Sequence, residues 1–299
     1  MRSLYKIILA ILALLALATP FVLDSMQKVH DQLSILYVRP EGGVTPAPGE
    51  NFAITAATIM EHELDGPTGW RPNDLPPLGP ALGADNNSNR QMGILQSLRE
   101  SLRVFKDNMT KVSSDPFDTN LVSADNNLRN DPRKWMFPSA ESRYREAVHN
   151  LKDYVDGLKT NPPRSRPLMG RRVELARLIQ TWGDLLGDGH AELYKTDPSW
   201  FQIDDIFYKI QGYCHTIAHL APAVEIEYRN ELKQSPQLGQ LFAEVQAPLE
   251  RCAMMKPLVV FNGRDTSMLA NHRRNLDIYV TEARQKLYSI REEIQQKVS

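Results

Sequence analysis

Residues 200–228 read WFQIDDIFYKIQGYCHTIAHLAPAVEIEY, and the spacing of their apolar members decides the fold class. Ile203, Phe207, Ile210, Cys214, Ile217, Ala221, Val224 and Tyr228 recur at intervals of three and four. That period lines one face of an α-helix about eight turns long. Asp197-Pro198 just upstream offers an N-cap acid followed by proline at the first helical position.

The same spacing returns along the chain. It carries Leu95, Leu98, Leu102, Phe105, Met109 and Val112, then Tyr144, Val148, Leu151, Val155 and Leu158, then Leu175, Ile179, Trp182 and Leu186. It returns in Leu238, Phe242, Val245, Leu249 and Cys252, and in Leu269, His272, Leu276, Val280, Ala283, Leu287, Ile290 and Ile294. Stripes sustained in this way predict long amphipathic helices packed at shallow angles in a bundle. Residues 51–64 add a shorter helix. Ser139 is placed as an N-cap, with Pro138 forcing the chain to arrive extended. The one strand-like run, Leu258-Val259-Val260-Phe261 closed by Asn262-Gly263, is too short to found a sheet. The expected class is all-α.

Toward the N-terminus, Arg2 and Lys6 precede an apolar run over residues 7–23, and Asp24 follows. About 20 helical residues cross a bilayer core of about 30 Å, and residues 4–23 predict such a transmembrane helix. Cations before the span and an acid after it keep the short N-terminus in the cytoplasm. In a bacterium this makes a single-pass inner-membrane protein with its body in the periplasm. Ala16-Leu17-Ala18 has the small-x-small form of a cleavage site, so secretion after signal cleavage is the alternative. Met26, Val29, Leu33 and Leu36 keep helical spacing and predict an amphipathic stalk ended by Pro40. The expected organisation is an anchor and stalk over 1–38, a Pro- and Gly-rich linker over 39–49, and one exported helical domain over 50–299. Within that domain residues 65–89, with Trp70 and Pro76-Pro77, read as a long irregular segment, a kind often functional.

A formal net charge of -1 with 24% charged and 42% hydrophobic residues fits an ordinary globular body. The basic clusters at 164–172 and 273–274 are short and mixed with proline or apolar residues, which argues against nucleic acid as a partner.

The sharpest chemical candidate is His215 with His219, two imidazoles at i and i+4 on one helix face that could share a metal. The glutamate of the HExxH pattern is missing. A chain folding back around residues 234–236 would set Cys252 opposite His219, completing a His, His, Cys zinc site. The same register sets Cys214 opposite residue 257, too far from Cys252 for a disulfide. Pro222 and Pro248 bend both helices and blur the alignment. The plainer alternative makes the histidines part of a helix seam. Asp204 and Asp205 point about 100° apart on a helix and cannot converge on one substrate. No phosphate loop, nucleophile elbow, CxxC pair or haem-attachment motif occurs, so no reaction is named and no cofactor is implied.

Three stretches carry a resemblance: NNLRNDPRKWMFPSAESRYREA at 126–147, WFQIDDIFYKIQG at 200–212 and VFNGRDTSMLANH at 260–272. They are similar to a family of uncharacterised proteobacterial membrane-anchored proteins carrying a domain of unknown function. The resemblance implies an inner-membrane anchor and a helical exported body, and brings no activity or catalytic residue.

These stretches and the 65–89 segment supply the candidate ligand or partner residues: Trp70, Trp135, Phe137, Trp200, Asn262, Asn271 and His272. The alternative is that they cap and cross-pack the bundle ends, burying Trp135 and Trp200. The expected function is an anchored scaffold holding an envelope protein partner through helix surfaces and a mobile Trp70 loop. A lipid or apolar-ligand module between splayed helices is the second reading. A metal-dependent enzyme at His215 and His219 is the third.

Overall fold

The chain is described by a computed structural model over residues 2–30, 33–40, 45–74, 85–111, 115–194, 200–257, 260–263 and 270–296. Among them ten α-helices follow one another: α1 (Arg2–His30), α2 (Glu50–Asp65), α3 (Asp85–Val104), α4 (Thr119–Leu128) and α5 (Ala140–Leu158), then α6 (Arg172–Leu193), α7 (Trp200–Glu227), α8 (Arg229–Lys233), α9 (Pro236–Met254) and α10 (His272–Gln296). A π-helical turn, Phe105–Met109, extends α3. No strand occurs among the described residues, only an isolated bridge between Asn262 and Asn271. Residues 258–259 of the strand-like run and the Asp197-Pro198 cap lie outside the described residues.

Local chemistry explains the helix starts. Ser139 Oγ accepts the Ser142 N–H at 3.2 Å, as expected of a cap. Asp118 Oδ1 accepts the N–H groups of Asn120 and Leu121, which starts α4. That helix was not anticipated, because its 10 residues carry few apolar side chains.

Side-chain pairs set the directions of the helices. Asn89 Nδ2 donates to Asp205 and Tyr213 Oη to Gln96, so α3 and α7 run parallel. Lys152 pairs with Glu61 and Lys159 with Glu50, so α5 runs antiparallel to α2. Lys209 with Glu192 and Tyr213 near Asp188 oppose α6 to α7, and Gln246 with Ala218 and Gln211 with Ala253 oppose α9 to α7. His190 with Asp277 and Arg291 with Gln180 oppose α10 to α6. One end of the bundle therefore gathers the starts of α3, α5, α7 and α10 with the ends of α2, α4, α6 and α9.

Apolar stripes meet in one core. Phe52 stacks on Phe105 with ring centroids 4.3 Å apart, and Trp182 is buried with its indole N–H donated to Ser101 Oγ at 2.9 Å. Closest approach falls between α3 and α7: a Cβ on Gly93 would lie 1.9 Å from Lys209 O, and one on Gly212 2.3 Å from Arg90 O.

The expected stalk is corrected. Helix α1 ends at His30, and residues 33–39 run extended along the body. Leu33 and Ile35 pack against the core while Leu36 is 90% exposed, an alternation of period two. Tyr37 Oη donates to His219 O at 2.8 Å, and Asn51 bonds both the N–H and the carbonyl of Val38. These bonds hold the backbone out of a helix. Leu33 shares a groove with His62, Asp65, Gly66 and Pro67, which places it at the bundle end defined above, the α1 end. In α1 itself the side chains of residues 3–18 are all exposed. Among the described residues no helix is long and apolar enough to cross a membrane; in α1 the unbroken run of described side chains is residues 3–19.

Candidate binding cleft beside the extended segment

A cleft of about 770 Å³ opens between the extended segment and the α7–α9 seam. Leu33, Ile35, Ala218, Pro222 and Met254 supply apolar wall, and Tyr37, Arg39, Glu225, Glu250 and Lys256 supply polar groups. His215 and His219 reach it from α7, their rings edge to face with centroids 4.7 Å apart.

The ring of His215 is buried, and its Nε2 has no hydrogen-bond partner among the described residues. Desolvation, then the nearby Arg90 charge, pushes its pKa well below the usual 6.5. The same two causes bring His219 to about 4. Both rings are neutral at pH 7. Burial raises Tyr37 to about 12, so its hydroxyl keeps its proton and the bond to His219 O. The wall thus offers a neutral imidazole nitrogen with a free hydrogen-bonding capacity beside apolar surface. That suits a ligand with an apolar body and one polar group.

The expected His, His, Cys metal set is not assembled. Among the described residues no three or more His, Cys, Asp or Glu side chains are gathered to hold a metal ion. The α7–α9 register explains why: Gln246 meets Ala218 and Gln211 meets Ala253. The chain therefore reverses around α8 rather than at residues 234–236. This brings Cys252 beside Cys214 instead of His219. Both cysteines are free and buried, and burial pushes the Cys252 thiol well above its usual range.

Most of the other anticipated residues gather at the α1 end, in different states. Trp70 is buried: its indole N–H donates to Pro132 O at 2.9 Å and its ring packs edge-on against Tyr144. With Arg71 N–H bonded to Gln91 and Asn73 to Glu141, residues 70–73 are a fastened turn and not the mobile loop expected; residues 75–84 lie outside the description. Trp135 and Phe137, by contrast, are exposed. Trp200 opens α7, and its side chain lies outside the description. Asn271 Nδ2 donates to Gly263 O and His272 Nδ1 accepts the Phe261 N–H, so both brace the Asn262–Asn271 bridge, whose Asn262 is exposed. Two contributors were missed in the sequence: Tyr37, whose signal is the alternation Leu33, Ile35, Tyr37, and Met136, between the two aromatics of its loop.

No curated protein and no solved structure matches the chain. The sequence over residues 3–188 and 187–297 matches the family described as an uncharacterized protein conserved in bacteria (DUF2333), and the chain belongs to that family.

Proposed function

We propose that the protein is a single-pass inner-membrane protein of the bacterial envelope whose helical body, held outside the cytoplasm beside the bilayer, binds a partner rather than catalysing a reaction. The observation that carries the reading is α1: every described side chain from residue 3 to 18 is exposed, and the residues are apolar on all faces apart from Ser3 and Lys6. A helix apolar all round needs an apolar surrounding. The described run over residues 3–19 extends about 26 Å, close to the thickness of a bilayer core. Arg2 and Lys6 before the run and Asp24 after it support a cytoplasmic N-terminus.

The test is alkaline carbonate extraction of membranes from cells making the full chain with alkaline phosphatase fused after residue 299. Retention in the membrane pellet with an active fusion is the expected result. Release by carbonate with an intact N-terminus overturns anchoring, and a mature chain beginning after Ala18 establishes secretion by cleavage instead.

The cleft favours a second reading of what is bound. Its apolar wall beside the orphan Nε2 of His215 suits an amphiphilic ligand rather than a protein surface. Native mass spectrometry of the full chain released from detergent tests this: a retained lipid-sized adduct, lost in Ala218→Phe, is expected, and an adduct-free wild type removes it.

A further inference from the structure

The loop over residues 129–139 holds three apolar side chains in succession out in solvent. Trp135 is 52%, Met136 48% and Phe137 91% exposed. Single exposed apolar residues are ordinary, whereas a contiguous cluster marks a contact surface. The backbone beneath the cluster is fastened. Arg99 donates to Leu128 O and Asn130 O, both at 2.6 Å, and Tyr144 Oη donates to Asn130 O at 2.9 Å. Trp70 holds Pro132 O, while Asn73 Nδ2 and the Ala140 N–H both reach Lys134 O. The loop cannot fold its tip inward without breaking this set, so the exposure is built in.

Chemistry and position identify the occupant. Arg133 and Lys134, both exposed, directly precede the aromatic tip. Cations beside Trp and Phe match the bilayer interface, where rings settle among headgroups and basic groups meet anionic phosphates. The loop precedes the first turn of α5, which lies against the end of α2 through the Arg145–Asp65 ion pair. Asp65, Gly66 and Pro67 share a groove with Leu33, where the chain leaves α1. The apolar tip and the anchor exit thus stand at one end of the bundle.

We propose that residues 133–137 form a second membrane contact, with Trp135, Met136 and Phe137 seated in the interface of the leaflet from which α1 emerges and Arg133 and Lys134 on its anionic headgroups. This rests on α1 being a membrane anchor. Tethering makes the contact intramolecular, so a patch too small to recruit a free protein suffices. One helix alone leaves the body free to swivel. A second contact fixes its attitude and holds the cleft beside Leu33 at a set height above the lipid.

The experiment places an environment-sensitive dye on the full chain in vesicles of phosphatidylcholine, with or without phosphatidylglycerol, at Phe137→Cys, at Leu12→Cys in α1, or at Gln237→Cys on the opposite end. Cys214 and Cys252 are buried and do not compete for label. Expected is quenching of the 137 dye by about half with a spin-labelled lipid of shallow depth, deeper with phosphatidylglycerol present, and none at 237. Arg133→Glu with Lys134→Glu should shift this insertion equilibrium about tenfold toward water. A quenched 12 dye beside an aqueous 137 dye overturns the inference while leaving the anchor standing, and points to a protein as the loop's occupant. Aqueous dyes at both positions overturn the anchor and the inference with it. Equal quenching at 137 and 237 means that the body lies on the membrane without a dedicated contact, which also overturns it.

Discussion

Glu227, the last residue of α7, and Asn51, in the first turn of α2, are joined by a hydrogen bond from main chain to side chain: Asn51 N–H donates to Glu227 Oε1 at 2.8 Å. Gly49 N–H donates to Oε2 of the same carboxylate at 2.8 Å, so a side chain from a distant helix serves as the N-terminal cap of α2. Gly49, at the N-cap position, has no side chain with which to cap that helix.

That cap titrates in the neutral range. Desolvation outweighs the backbone donors and raises Glu227 from 4.5 to about 7. A carboxyl raised on folding binds its proton more tightly in the folded state, so its contribution is complete below pH 4.5 and is lost as pH rises through 7. The loss is about 3 kcal/mol. Urea unfolding at the two limits should show that Glu227→Gln removes this downward slope while lowering stability overall by about 1–2 kcal/mol, since an amide nitrogen cannot accept from Gly49 N–H. A slope unchanged in the variant would refute the assignment.

His219 slopes the other way. Its pKa is lowered from 6.5 to about 4, so the folded state binds fewer protons than the unfolded chain. The contribution is complete above 6.5 and is lost as pH falls toward 4, by about 3 kcal/mol. His215, also lowered, adds to it in the same direction. Between 4.5 and 6.5 the two histidines outweigh the single Glu227, so the wild type should gain stability with rising pH, less steeply than Glu227→Gln and more steeply than His219→Gln. Unfolding curves of His219→Gln should be nearly flat over this range, where His215 and Glu227 oppose each other, and those of Glu227→Gln should expose the acid loss. Parallel pH profiles for the three proteins would contradict this.

Arg90 and Glu63 tie α3 to α2 through a fully buried ion pair, Nη1 to Oε1 at 3.0 Å, with Gln91 Nε2 on the second carboxylate oxygen at 3.1 Å. Removing one partner leaves a charge uncompensated in the core and costs about 3–5 kcal/mol, whereas replacing both by apolar residues of similar volume recovers much of that. A double-mutant cycle of Arg90→Met and Glu63→Leu by denaturant unfolding should therefore be strongly non-additive. Additive losses would mean that the two groups do not depend on each other.

The long helices were legible because each buries one face, and burial on one face of a helix leaves the three-four spacing in the chain. What depended on distance along the sequence was not. The α7–α9 register hinged on α8, five residues whose only buried side chain is Leu232, and so Cys252 went to Cys214 and away from His219. The segment at 33–39 satisfied two periods at once: Leu33 and Leu36 fit a helix, Leu33, Ile35 and Tyr37 fit an extended chain, and Asn51 decided between them. Trp70 and Trp135 look alike in the sequence, yet one is buried because its indole holds the loop that leaves the other exposed.

The tightest constraint in the fold carried no apolar signal at all. Gly93 in α3 and Gly212 in α7 are where the two helix backbones touch, and a methyl group on Gly93 would lie 1.9 Å from the carbonyl oxygen of Lys209. Backbone cannot yield as a flexible side chain does, so Gly93→Ala must push the helices apart along a seam that also carries Asn89–Asp205 and Gln96–Tyr213. Alanine favours an isolated helix over glycine by about 1 kcal/mol, and overpacking of this kind costs about 1–3 kcal/mol or more. The overpacking term wins because the clash is with main chain on both sides. Thermal unfolding of Gly93→Ala should show a net loss of stability, while Gly239→Ala in α9, where nothing lies within 4 Å of the new methyl, should be neutral or stabilising. An unchanged melting temperature for Gly93→Ala would mean that α3 and α7 do not approach as closely as this seam requires.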